Sequence, residues 1–110
     1  MERRGARRRR VRLRVRVEPG NILSSTGDVG PGGVFIYAAR LHRPGTRVRL
    51  TVHLPDGHTA RAEGVVRWAK RVPPALLATA RGGMGVALEI MDPVLAQYLE
   101  GLCERRRAHR

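Results

Sequence analysis

Apolar and polar residues alternate strictly over VRLRVRV, residues 11–17: Val11, Leu13, Val15 and Val17 share one face, Arg12, Arg14 and Arg16 the other. A period of two is that of a half-buried strand, here with a basic outer face. Pro19–Gly20 ends it. The polar residues 21–29 read as a short second strand running into a glycine loop, and GVFIYA, residues 33–38, as a compact third. From Thr46 to Leu54 the alternation is clearest, with Val48, Leu50, Val52 and Leu54 on one side and Arg47, Arg49, Thr51 and His53 on the other. Pro55–Asp56–Gly57 then predicts a hairpin turn, because proline fixes φ and glycine accepts positive φ. The return strand runs from about His58 to Ala69, with Ala60, Ala62, Gly64, Val66 and Trp68 on one face, so Trp68 reads as a core or barrel-end residue. Residues 72–81, with Pro73–Pro74, read as a loop. Residues 84–91 form a last strand with Met84, Val86, Leu88 and Ile90 on its buried side.

The period then changes. Asp92 offers an N-cap acceptor and Pro93 suits the first helical position. Val94, Leu95, Tyr98, Leu99 and Leu102 recur at helical spacing, which predicts one apolar stripe. The last turns run into Arg105, Arg106 and Arg107, cations that suit the negative end of the helix dipole. About six short strands followed by one helix predict a mostly β domain. Both a small antiparallel barrel, with the helix across an open end or face, and a two-sheet sandwich satisfy the periodicity. The 110 residues suffice for one such domain. An apolar content of 42%, rich in valine, with only 4% aromatic residues, agrees with a strand-built core.

Charge changes the picture through its distribution. Residues 1–16 hold nine Arg and one Glu, a net +8; residues 105–110 hold four Arg, +4; residues 17–104 hold eight Arg, one Lys and eight acids, only +1. The basicity of a chain with net charge +13 therefore lies at its two ends. Such clusters imply an anionic partner. The expected division is a flexible arginine-rich lead-in over 1–10, a single strand-built domain with its helix over 11–104, and a basic tail over 105–110.

The single cysteine, Cys103, cannot form an internal disulfide and reads as a packing or partly exposed residue, not a reactive one. No Cys/His cluster has metal-ligand spacing. No apolar run approaches the length of a bilayer span, and no apolar segment follows the charged N-terminus. These features fit the cytoplasm. The only serines, Ser24 and Ser25, have no histidine at a suggestive spacing, and neither a paired carboxylate site nor a phosphate-binding glycine loop is present, so the expected role is binding and not catalysis. His42, His53, His58 and His109 are scattered and receive no role.

One stretch remains, GDVGPGGVFIYA, residues 27–38, where permissive backbone abuts stiff apolar residues. Asp28-Val29-Gly30-Pro31-Gly32-Gly33 is similar to the second motif of the PilZ domain family, [Asp/Asn]-x-Ser-x-x-Gly at a strand entry. Arg4-Gly5-Ala6-Arg7-Arg8 matches the family's first motif, Arg-x-x-x-Arg, at the usual spacing before the first strand; Arg8-Arg9-Arg10-Val11-Arg12 is a second register that shares Arg8. Pro44-Gly45-Thr46, Val65-Val66-Arg67-Trp68 and Gly83-Met84-Gly85-Val86 ahead of Asp92-Pro93 follow in the family's order. The resemblance covers about residues 4–103.

This resemblance implies a six-stranded antiparallel barrel with a C-terminal helix. It also implies a bacterial receptor for the second messenger cyclic di-GMP that relays its signal to an unidentified protein partner, with no cofactor. The ligand site it implies consists of Arg4, Arg8, Arg12, Asp28, Gly30 and Gly33. The arginines would meet guanine O6/N7 or phosphate, Asp28 would accept from the guanine N1–H or N2–H edge, and Gly33 would let the backbone approach the ligand. Gly30 departs from the motif serine. The missing hydroxyl removes one hydrogen bond, about 0.5–1.5 kcal/mol, or roughly threefold to tenfold in affinity. Two other readings keep the same residues: a degenerate PilZ module that binds a protein without the nucleotide, and a basic barrel that binds nucleic acid through its charge.

Overall fold

The computed structural model describes residues 9–30, 32–38, 40–76 and 82–108. Seven strands occur among them: β1 Arg9–Arg10, β2 Arg14–Glu18, β3 Ile22–Gly30, β4 Gly33–Tyr37, β5 Arg47–His53, β6 Thr59–Lys70 and β7 Gly83–Met91, followed by the helix α1 Pro93–Ala108. Every pairing is antiparallel. The order is β1-β3-β2-β5-β6-β7-β4, and β3 also pairs with β4. That last pairing closes β2, β5, β6, β7, β4 and β3 into a six-stranded barrel, with the two-residue β1 attached to β3. Barrel and sandwich, alike in periodicity, are separated by this closure.

The core follows the alternation. Leu13, Val15 and Val17 of the first strand region, Val48, Leu50 and Val52 of β5, Ala60, Ala62 and Val66 of β6, and Met84 and Val86 of β7 all point inward and are buried. The valine, leucine and methionine side chains among them each stabilise the fold by about 1.5–3 kcal/mol on burial. Leu95 and Leu99 of α1 close the core, with Tyr98 packed beside them. Val94, on the expected stripe, is exposed. Asp92 ties the helix start to the barrel: its amide donates to the Arg61 carbonyl, 2.8 Å, and its Oδ2 accepts from the Arg61 amide, 3.3 Å.

The β5–β6 hairpin has unbroken register from Arg47↔Val65 to His53↔Thr59. Its turn is the predicted one. The Gly57 amide donates to the Leu54 carbonyl, 3.0 Å, the Leu54 amide to the His58 carbonyl, 2.8 Å, and Gly57 sits at φ 95°. Asp56 Oδ1 accepts from the His58 amide, 2.9 Å. The β2–β3 connection passes through a cis Glu18–Pro19 bond with Gly20 and Asn21 at positive φ.

Two sequence expectations fail for one physical reason. Trp68 is 47% exposed and Ile90 58% exposed, although alternation put both on buried faces. Val66 pairs with Val86 but Trp68 pairs with Gly85, so Arg67 is one residue too many on β6; Glu63 pairs with Ile90 but Gly64 with Leu88, so Glu89 is one too many on β7. Each extra residue is a β-bulge, and a bulge inverts the inside-outside parity of everything beyond it.

Candidate functional site

The glycine stretch is a tight hairpin. β3 ends at Gly30, β4 begins at Gly33, and these two residues are register partners, so only residues 31 and 32 connect the strands. Just before the turn lies a third irregularity: Thr26 pairs with Ile36 and Val29 with Val34, so Gly27 and Asp28 together face Phe35. Because Thr26 and Val29 are both buried, this bulge turns Asp28, with Phe35, to the outer face.

On the other edge of β3 the arginine segment arrives. Arg10 pairs with Asp28 and Arg9 with Val29. The chain then leaves the ladder and rejoins β3 at Arg14↔Ser25. Arg10 is exposed and Asp28 half-buried. Asp28 is already engaged by other groups of the chain.

The row continues past Asp28. Gly85 of β7 pairs with Phe35 on one side and Trp68 on the other. With no side chain between them, the two rings stack at 5.2 Å between centroids and 19° between planes. A Cβ on Gly85 would lie 2.4 Å from the indole nitrogen, so any side chain there would displace the Trp68 ring. Tyr37 meets Phe35 edge-on at 4.9 Å. Thus Arg10, Asp28, Phe35, Gly85 and Trp68 form one outward row across β1, β3, β4, β7 and β6, about 20 Å long at ordinary strand spacing. It offers a cation, a carboxylate and an aromatic surface, the three groups that read a purine and its phosphate.

Of the residues singled out from sequence, Arg4 and Arg8 lie outside the described residues. Asp28 and Gly30 belong to the row and its hairpin. Gly33 has a packing reason of its own: a Cβ there would lie 2.8 Å from the Val86 carbonyl oxygen. Arg12 lines an open cleft of about 600 Å³ together with Arg14, Ser25, His53 and Leu54, and it is Arg10 that pairs with Asp28. The aromatic surface escaped sequence reasoning because the bulge at Arg67 hides the true side of Trp68. The glycines at Gly83 and Gly85 were its one legible signal, since two strand positions without side chains leave a floor for something larger. Among the described residues no group of three or more His, Cys, Asp and Glu could hold a metal ion, and no helix is long and apolar enough to cross a membrane.

A family model for the PilZ domain matches residues 2–105. The chain belongs to the PilZ domain family. That family comprises cyclic di-GMP receptor modules. Among solved structures the chain is similar to the inhibitor of motility MotI/DgrA of Bacillus subtilis, at a TM-score of 0.80 and 22% identity. The match covers 100% of this chain and 54% of that one, so the PilZ chain spans about half the length of its structural neighbour. At that identity the likeness concerns the fold. No curated protein matches the sequence.

Proposed function

We propose that this PilZ domain binds cyclic di-GMP at the rim formed by the arginine lead-in and the Asp28 hairpin, and relays the bound state to a protein partner. The observation that carries the reading is the pairing of Arg10 with Asp28, which ties the lead-in to the motif acid. Arg4 and Arg8 supply guanidinium forks for guanine O6/N7 or phosphate. Asp28 accepts from the guanine N1–H or N2–H edge. The Phe35–Trp68 stack adds a π-face for a purine, worth roughly 1–3 kcal/mol per stacked base. Ordering of the lead-in over the ligand creates the surface a partner reads. The work is recognition, with no bond made or broken.

Calorimetric titration with cyclic di-GMP tests this. Binding at micromolar or weaker affinity is expected, with Arg8→Ala abolishing it and Gly30→Ser strengthening it by roughly threefold to tenfold through the restored hydroxyl. No heat at high ligand concentration overturns the reading.

One observation favours a second reading, in which the domain binds a protein and no nucleotide. Gly30 brings no hydroxyl, and the Cβ position of Gly33 is occupied by the Val86 carbonyl, so two motif positions are explained by the hairpin alone. Retained partner binding by an Arg4→Ala/Arg8→Ala double variant supports it. If an oligonucleotide held by the lead-in is not displaced by cyclic di-GMP and survives loss of Asp28, simple polycation binding replaces both.

A further inference from the structure

Among the described residues Thr26 is the one polar or charged residue buried as a whole, at 2% exposure. It sits where β3 loses its partner on one edge and bulges on the other. Between Arg10↔Asp28 and Arg14↔Ser25 the arginine segment advances four residues and β3 three, so an extra residue must leave the ladder. Regular pairing cannot satisfy the backbone there, and a buried peptide group without a partner is strongly disfavoured. The Thr26 side chain takes over. Its Oγ1 accepts from the Leu13 amide at 2.9 Å and donates to the Val11 carbonyl, while the Thr26 amide donates to the Leu13 carbonyl at 2.9 Å. One residue thus fastens the crossing segment at three points, two positions before Asp28.

We propose that Thr26 is a positioning residue, a latch whose hydroxyl holds the arginine lead-in against the barrel beside Asp28 and thereby sets the affinity for an anionic ligand gripped between them. A threonine serving only the core would fill volume, and valine would replace it. The latch requires an atom that both donates and accepts, which valine lacks and serine retains. The Val11 carbonyl and Leu13 amide have no route back to the ladder, because the extra residue keeps them out of register. The ligand part of the proposal rests on the receptor reading above; the fastening does not.

Amide hydrogen exchange on the full chain, compared for the unaltered protein, Thr26→Val and Thr26→Ser, reads the latch directly. Thr26→Val is expected to speed exchange over residues 9–13 by about tenfold or more, the effect of leaving one buried pair unsatisfied, while the β5–β6 hairpin is unchanged. Thr26→Ser restores protection. Titration with cyclic di-GMP is expected to weaken by about the same factor in Thr26→Val and to recover in Thr26→Ser. Unchanged exchange over residues 9–13 in Thr26→Val overturns the latch, and faster exchange with unchanged affinity overturns its positioning role. If the unaltered chain binds no cyclic di-GMP, the receptor reading falls, and the exchange result alone decides the latch. Should Thr26→Val not fold, the Leu13 amide of the unaltered chain decides: protection like that of the β2 amides upholds the latch, exchange at the rate of an open chain ends it.

Discussion

The β5–β6 hairpin and the β3–β4 hairpin are built from the same kind of chain and behave differently. In the first, seven register pairs run from Arg47↔Val65 to His53↔Thr59 without a break. In the second, the ladder slips between Thr26 and Val29, the partner on the far edge slips at the same level, and two residues make the turn. The regular hairpin buries Val48, Leu50, Val52, Ala60 and Ala62 and carries Arg47, Arg49, His53, Thr59 and Arg61 exposed outside. The irregular one turns an acid outward, seats aromatic rings on glycines and receives the arginine segment. Regularity supplies the core; the slips aim the chemistry.

Core truncation has the largest expected effect and bears on both regions. Leu50→Ala in β5 and Ile36→Ala in β4 remove side chains that are 2% and 0% exposed, and each is expected to lower unfolding free energy by about 2–5 kcal/mol in urea titration. Near-equal losses mean that the slipped half is packed as tightly as the regular one. A loss below 1 kcal/mol at Ile36 alone would break that view.

Gly85→Ala probes the aromatic floor. The added Cβ would lie 2.4 Å from the indole nitrogen, and the expected cost is about 1–3 kcal/mol. As Trp68 is the only tryptophan, its fluorescence maximum reports the displaced ring. Unchanged stability together with unchanged emission would show the stack to be dispensable.

Ser24 sharpens the comparison in the opposite direction. Its Oγ is buried without a hydrogen-bond partner, on the inner side of β3. Ser24→Ala is expected to raise stability by about 1 kcal/mol, because an unpaired buried hydroxyl carries a penalty of about 1–3 kcal/mol. A fall in the urea midpoint contradicts this.

The smallest effect belongs to the regular turn. The His58 backbone amide, and then its side chain, hold the Asp56 carboxyl below its ordinary value of 3.8. The folded form therefore gains stability above the unfolded pKa and loses it as pH falls through the depressed folded value. Thermal melts of the unaltered chain and Asp56→Asn should differ slightly at pH 7 and converge as pH falls below 3.8 through the depressed folded value. A difference that grows on acidification has the wrong sign for this turn.

Where alternation ran unbroken, from Leu13 to Val17 and from Val48 to Leu54, the side of every residue was legible, and so was the turn at Pro55–Gly57. The helix start at Pro93 was equally plain, because proline at a first helical position is a local signal; the Asp92 carboxylate, expected to cap the helix, accepts from the Arg61 amide of β6 instead. The faces of Trp68 and Ile90 were not, since a bulge is a mismatch between two strands and neither strand shows it alone. Closure into a barrel was open for a related reason: it depends on β3 pairing with β4 and β2 with β5, and periodicity does not say which edges meet. At the candidate site, the order of motifs pointed to residues 27–38, which the structure makes a tight hairpin beside the arginine segment. That Arg10 is the residue opposite Asp28 depends on the slip at Thr26, and Thr26 carries no mark in the sequence beyond being one threonine in a polar run.

Ring closure also governs how the molecule assembles. The β5–β6 hairpin joins neighbours in the chain, but β4 meets β7 across roughly half its length, Gly33 finding Ala87 and Tyr37 finding Gly83. Contacts of such wide separation must overcome loop entropy before they return any stabilisation, which puts folding of strand-built domains in the range of roughly milliseconds to seconds. Until β4 and β7 meet, each has one unpaired edge, the kind of edge that pairs readily with another chain.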